Sequence, residues 1–252
     1  MEGAGYVPSM VDDEFPPRPA RGRVVSISQR VGLSHTRRDA KLRLDALAGY
    51  LQDVADEDAA TAPEDPATVW LLRRLVLSFE HVPRFRDQLA LHTWASGTGA
   101  RWAERRADVT RDGVTVVKTA GVWVHVERAS GRPTPLPPSF YATWGETSQG
   151  RTVRARLMHG PPSVDVTEPW PLRATDIDII GHVNNAAYWA AVEEHIARRG
   201  VTSVVRAEIE FRAGIDPSDS VELAVADRDE GFILWFLVDG EVRASALVAC
   251  GP

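Results

Sequence analysis

The run DIDIIGHVNNAAYWAAVEEH, Asp176 to His195, gathers two carboxylates (Asp176, Asp178), a glycine (Gly181), a histidine (His182) and two asparagines (Asn184, Asn185) ahead of a segment with helical periodicity. Asn and Asp suit a helix start because their side-chain oxygens accept backbone N–H groups that the first turn leaves unused. Ala187, Tyr188, Ala191, Val192 and then His195 or Ile196 recur on one helix face, which can therefore be buried. A carboxylate held where helix N–H donors converge suits acyl chemistry. The donors stabilise charge on a carbonyl oxygen, while the carboxylate attacks the carbonyl or activates water.

Asp178 is the first choice for that carboxylate, although Asp also serves as a turn residue bonding the backbone ahead of a helix. His182 could orient a carbonyl, bind the carboxylate or sit as a structural histidine. Asn184 completes the candidate catalytic set, and both asparagines also suit caps that orient the helix start. Gly181, Asn185, Asp176 and Glu194 are supporting candidates. Gly181 would let the backbone approach closely. Glu194 lies on the helix and reads as a solvated acid. Asp176 stands two residues before Asp178, so in an extended segment both carboxylates share a face and perturb each other's protonation.

The 252 residues could form one large domain or two small ones, with 44% hydrophobic and 25% charged residues, as in ordinary globular proteins. A net charge of −6 argues against nucleic-acid binding as a main role. No apolar run is long enough to cross a bilayer, so no membrane role is expected. The N-terminus has neither a basic start nor an apolar signal core, which makes the cytoplasm the expected location. Cys250 is the single cysteine and leaves no disulfide and no cysteine cluster for zinc. The seven histidines lack metal-ligand spacing, G-x-S-x-G is absent, and Gly97-Thr98-Gly99 is not part of a phosphate-binding fingerprint. Neither metal nor cofactor is expected.

The chain also repeats itself. Residues 77–91 align without a gap on 209–223 at a spacing of 132, pairing Leu77 with Ile209, Phe79 with Phe211 and Asp87 with Asp219. The helix-like stretch 44–58 corresponds to the helix after Asn184, here with Tyr50 set opposite Tyr188. On that alignment Leu44 and Asp45 stand where the second copy has His182 and Val183, so only the second copy keeps the polar motif. Asp112-Gly113 and Asp239-Gly240 each precede an alternating apolar run, as hairpin turns do. Each half reads as a short strand, a long helix and several strands. Two such units side by side give an α+β double hotdog, an antiparallel sheet wrapped around central helices near 44–57 and 184–197. The organisation expected is an arm over 1–21, a first unit over 22–130, a proline-bearing linker over 131–165 and a second unit over 166–252 carrying the site.

These residues resemble the acyl-acyl carrier protein thioesterases. The resemblance rests on RLDALAGYLQDVADEDA and WLLRRLVLSFEHVPRF in the first half. In the second it rests on WPLRATDIDIIGHVNNAAYWAAVEE and IEFRAGIDPSDSVEL. It implies hydrolysis of a fatty acyl thioester to free fatty acid in fatty acid biosynthesis. Plant members carry D-x-N-x-H-V-N-N; here Asp178 and His182 match, and Ile180 replaces the Asn. Those members place a Glu-Cys pair after the next strand, where this chain reads Ala213-Gly214-Ile215. Asp178-Ile179-Ile180-Gly181 instead resembles the aspartate motif of single-hotdog acyl-CoA thioesterases. The substrate partner is thus an acyl carrier protein or a CoA thioester, on a monomer or homodimer. An acidic carrier would meet basic residues such as Arg37, Arg38, Lys41 and Arg43, or Arg151, Arg154 and Arg156. The acyl chain is expected to enter a tunnel in the first half lined by Leu47 and Leu51. A hotdog dehydratase and a non-catalytic acyl-binding protein are the rival readings.

Overall fold

The computed structural model describes residues 15–62 and 65–251. The first half consists of β1 (Val25–Arg30), α1 (Leu44–Ala60), β2 (Thr68–Phe79), β3 (Gln88–Thr98), β4 (Trp102–Arg111) and β5 (Val114–Glu127). After α2 (Pro138–Ser148), the second half repeats that plan. It comprises β6 (Thr167–Trp170), α3 (Asn185–Arg198), β7 (Val204–Phe211), β8 (Val221–Arg228), β9 (Gly231–Val238) and β10 (Glu241–Cys250). Both Asp-Gly pairs close two-residue hairpins. Asp112 and Gly113 have φ of 53° and 78°, and Asp239 and Gly240 have 52° and 76°, the left-handed pair that matches the twist of the flanking strands.

Among the described residues the strands form one ten-stranded sheet in the order β1-β3-β4-β5-β2-β7-β10-β9-β8-β6. Every pairing is antiparallel. The halves meet where Arg74–Ser78 of β2 pairs with Arg206–Glu210 of β7. Leu44, Leu47, Ala48, Leu51 and Val54 of α1 are buried in one apolar cluster with Tyr188, Trp189, Val192 and Ile196 of α3. That cluster also takes Leu75, Leu77, Leu91, Val109 and Val117 from the first half's strands, and Ile209, Phe211, Leu234 and Phe236 from the second half's. Each large apolar side chain so buried contributes about 1.5–3 kcal/mol. The result is a double hotdog: two helices side by side on a sheet that neither half could complete alone.

Three local expectations change. The segment 131–165 is more than a tether. It contains α2, with Pro138 at the helix start, where its missing N–H costs nothing. Phe140 and Trp144 of α2 pack on Ala95 and Ala103. Further along, the N–H groups of Met158 and His159 donate to Glu210, and Trp235 Nε1 donates to the Gly160 carbonyl at 2.9 Å. The arm expected over 1–21 falls mostly outside the described residues, but Phe15 is buried against Val76 and Ala120 beneath the Arg106 guanidinium. The helices also align differently from the pairing of Tyr50 with Tyr188, for a reason visible in the loops before them.

Candidate active site

The loop leading into α3 is held by four backbone hydrogen bonds, and their counterparts hold the loop before α1, 141 residues earlier. Asp178 N donates to His182 O at 2.9 Å, as Arg37 N does to Lys41 O at 2.8 Å. Gly181 N donates to Asp178 O, as Ala40 N does to Arg37 O; both bonds are 3.0 Å. Asn184 N meets Asp176 O, as Arg43 N meets His35 O. Ile177 pairs with Val183, as Thr36 pairs with Leu42. Val183 N reaches Ile215 O, as Leu42 N reaches Pro83 O. The residue matching His182 is therefore Lys41 rather than Leu44, and Asn185 matches Leu44. Helix periodicity alone allowed a slip of three residues, since it nearly preserves the buried face.

The loop sorts its polar residues into different tasks. Asp176 is buried; its carboxylate accepts Arg173 N at 2.8 Å and binds the Arg173 guanidinium at 2.6 Å. It does not share a face with Asp178, because the chain makes a short 3-10 turn over Ala174–Asp176 and is not extended there. Asp178 is half-buried, and its Oδ1 accepts Ile180 N at 2.9 Å and His182 N at 3.4 Å. Those bonds fix the orientation of the carboxylate. Gly181 has φ 92°, and a Cβ added there would meet nothing within 4 Å. The glycine relieves left-handed backbone strain rather than admitting a close neighbour, and Ala40 tolerates the matching conformation at φ 63°.

Asn184 is the N-cap of α3, with Oδ1 accepting Ala186 N at 2.8 Å, so its side chain is committed to the helix. Asn185 instead lines the cleft described below. His182 is exposed, with Nε2 3.4 Å from Asp216 Oδ1. Asp216 follows directly on Ala213-Gly214-Ile215 and belongs to no motif in the sequence. It is fixed by a turn in which its N–H meets Asp219 Oδ2 at 2.8 Å, and Arg84 and Asp87 form the same turn in the first half. Tyr188 lies under this corner. Burial raises its phenol pKa, and the charges of Asp178 and Asp219 push it further the same way, so it stays neutral. Glu194 is exposed and pairs with Arg198, as a solvated acid does.

The first half's copy of this corner has the opposite charge, and the first donor of its helix is occupied. Arg37 stands at the position of Asp178, Lys41 at that of His182 and Arg84 at that of Asp216. Arg37 makes two parallel bonds to Glu193 of α3, at 2.7 and 2.8 Å. Glu193 Oε1 also accepts Leu44 N at 2.6 Å. A carboxylate from the opposite helix thus occupies the N-terminal donor of α1, which has no side-chain cap of its own.

At the second-half corner the residue facing the helix start is Gln52, not a glutamate. A narrow cleft is bordered by Asn185 and Trp189 of α3 and by Ala48, Leu51, Gln52 and Ala55 of α1. It runs under α1 across β2, β5, β4 and β3, past Leu72, Gly121, Arg105 and Thr93. Both Leu47 and Leu51 belong to the core cluster, and of the two Leu51 also lines the cleft. Arg105 at the far end is held by buried Asp58, which also binds Arg23 and accepts Trp144 Nε1 at 2.9 Å. Under α3 the matching region is filled by Tyr188, Phe211, Trp170 and Phe236 packed ring to ring.

A double hotdog in which a largely apolar cleft reaches the start of α3 is a fold shared with thioester hydrolases. The sequence matches the acyl-ACP thioesterase N-terminal domain over residues 28–144 and the acyl-ACP thioesterase C-terminal domain over residues 161–242. The chain belongs to the acyl-ACP thioesterase family, whose reaction is the hydrolysis of fatty acyl thioesters. It is 30% identical over 243 residues to the uncharacterized protein Rv2001 of Mycobacterium tuberculosis, covering 94% of this chain and 96% of that one. Its fold is shared with the 12:0-ACP thioesterase from Umbellularia californica, at a TM-score of 0.77 and 15% identity over 93% of this chain and 99% of that one. It is shared as well with an acyl-ACP thioesterase from Bacteroides thetaiotaomicron, at a TM-score of 0.76 and 17% identity over 90% and 98%.

Proposed function

We propose that this protein hydrolyses fatty acyl-acyl carrier protein in the cytoplasm, releasing free fatty acid during fatty acid biosynthesis, with Asp178 as the base that activates water. The observation that carries this reading is the cleft under α1 that reaches Asn185 at the start of α3, immediately after the loop bearing Asp178 and His182. The acyl chain lies under α1 in the first half, and its thioester reaches the start of α3 beside Asn185. With Oδ1 engaged by backbone N–H groups, the remaining Asp178 oxygen takes a proton from water as the water attacks the carbonyl carbon. The oxyanion is met by N–H donors of the first turn of α3. The C–S bond then breaks, and the leaving thiolate takes up a proton. His182, paired with Asp216, orients groups at the mouth. The two fused units already supply the pairing that single hotdogs obtain by dimerising, which supports a monomer.

Thiol release from a panel of acyl-carrier and acyl-CoA thioesters tests the reading directly. Faster turnover of the carrier-bound series is expected. A strong preference for acyl-CoA would transfer the assignment to that substrate class, and no release from either would reject the enzyme reading. Chain length is the second readout. Leu51→Trp, which fills part of the cleft, should shift preference toward shorter chains, whereas Leu47→Ile should not. Unchanged selectivity in Leu51→Trp would remove the acyl chain from this cleft.

A further inference from the structure

The relation between the two corners assigns a role to a residue that the motif does not contain. Positions 44 and 193 stand across the first-half corner: Leu44 N–H at the start of α1 and Glu193 on α3. The repeat that maps Leu44 onto Asn185 maps Gln52 onto Glu193. Gln52 and Asn185 both line the cleft. The side-chain amide of Gln52, half-buried there, has no hydrogen-bond partner among the described residues. The first-half corner therefore displays where an oxygen sits when it takes the first donor of the helix: Glu193 Oε1, 2.6 Å from Leu44 N. Across the start of α3 the facing residue is a neutral amide rather than a carboxylate.

Resting on the assignment of the reaction to Asp178, we propose that Gln52 is a catalytic residue that donates its side-chain N–H to the thioester carbonyl oxygen, opposite the Asn185 backbone N–H. The amide serves both requirements of the position. It offers a donor to the oxygen that becomes negative in the tetrahedral intermediate, and it carries no charge to compete for the helix donor. A glutamate would do in this corner what Glu193 does in the other: fill the oxyanion position with its own oxygen. In the first-half corner Arg37 neutralises that carboxylate; in the second-half one Asp178 stands in place of Arg37 and would repel it. Substrate is thus admitted to one corner and excluded from the other by two exchanges, Arg37 for Asp178 and Glu193 for Gln52. Gln52 makes no bond in the reaction, so the covalent steps and their protons remain those of water, Asp178 and the leaving thiol.

The test uses the full chain with Gln52→Met and Gln52→Glu, melting temperature as the check on folding, and Asp178→Asn as the control for the underlying reading. Gln52→Met keeps the length of the side chain and removes the donor. It should lower kcat by about a hundredfold, the scale for losing one oxyanion donor, with KM within threefold and melting unchanged. Gln52→Glu should lose more at neutral pH, and the acid limb of its kcat/KM profile should move to higher pH as two carboxylates face each other. Wild-type kcat in folded Gln52→Met would overturn the proposal, as would a loss confined to KM. If the methionine variant does not fold, the glutamate variant decides: wild-type kcat and an unmoved acid limb overturn the assignment. An active wild type, an inactive Asp178→Asn and an unimpaired Gln52→Met would refute Gln52 alone. An inactive wild type or a fully active Asp178→Asn would refute the reading beneath it.

Discussion

Asp178→Asn should lower thioester turnover by roughly a hundredfold or more, the usual scale for losing a positioned base, while leaving the fold intact. The substitution keeps an oxygen able to accept Ile180 N–H and His182 N–H, so the turn before α3 survives. What disappears is the charge. His182→Ala should cost less, because the imidazole is exposed and its partner is the equally exposed Asp216. Initial rates of thiol release, measured beside thermal melts of the same samples, separate chemistry from folding. If a folded Asp178→Asn enzyme turns over at the wild-type rate, the base lies elsewhere. The next residue to change is then Asp216, since both oxygens of Asp176 are already committed to Arg173.

Glu193→Ala should destabilise the protein by about 3–5 kcal/mol, the range for breaking a buried ion pair from one side. Two losses combine. The Arg37 guanidinium remains largely buried without its carboxylate, and Leu44 N–H at the start of α1 loses its acceptor. Glu193→Gln should cost less, because an amide oxygen can still take the N–H. Urea unfolding followed by tryptophan fluorescence measures both. A loss under about 1 kcal/mol in Glu193→Ala would show that this ion pair, despite its geometry, holds nothing together.

Much of this architecture was legible in the sequence because it rests on local rules. The Asp-Gly turns, the alternating strands and the two long apolar helix faces each follow from patterns a few residues long, and the repeated strand segment joined them into a fused pair. Three things were not legible. Helix register between the halves is ambiguous to periodicity and became fixed only through loop hydrogen bonds at Arg37–Lys41 and Asp178–His182. The helix inside the proline-bearing segment was hidden because proline is as compatible with a helix start as with a tether. The partners of the site lie far off in sequence, as Gln52 does from Asn185 and Asp216 from His182, and no short-range pattern links them. Glu193 shows the same limit. One position away, Glu194 looks identical in sequence yet points to solvent, and only the packing of α3 on α1 separates them.

The unequal helix starts carry a consequence for the order of assembly during synthesis. α3 brings its own cap, since Asn184 sits immediately ahead of it in the chain. α1, translated more than a hundred residues before Glu193, begins with a donor whose acceptor has not yet been made. Until the second half emerges, the nascent first half also has an unpaired β2 edge and an Arg37 without its carboxylate, and exposed strand edges invite aggregation. The early half must therefore wait, partly organised, for the late half to nucleate on its own cap and dock. Shielding on or near the ribosome matters most in that interval.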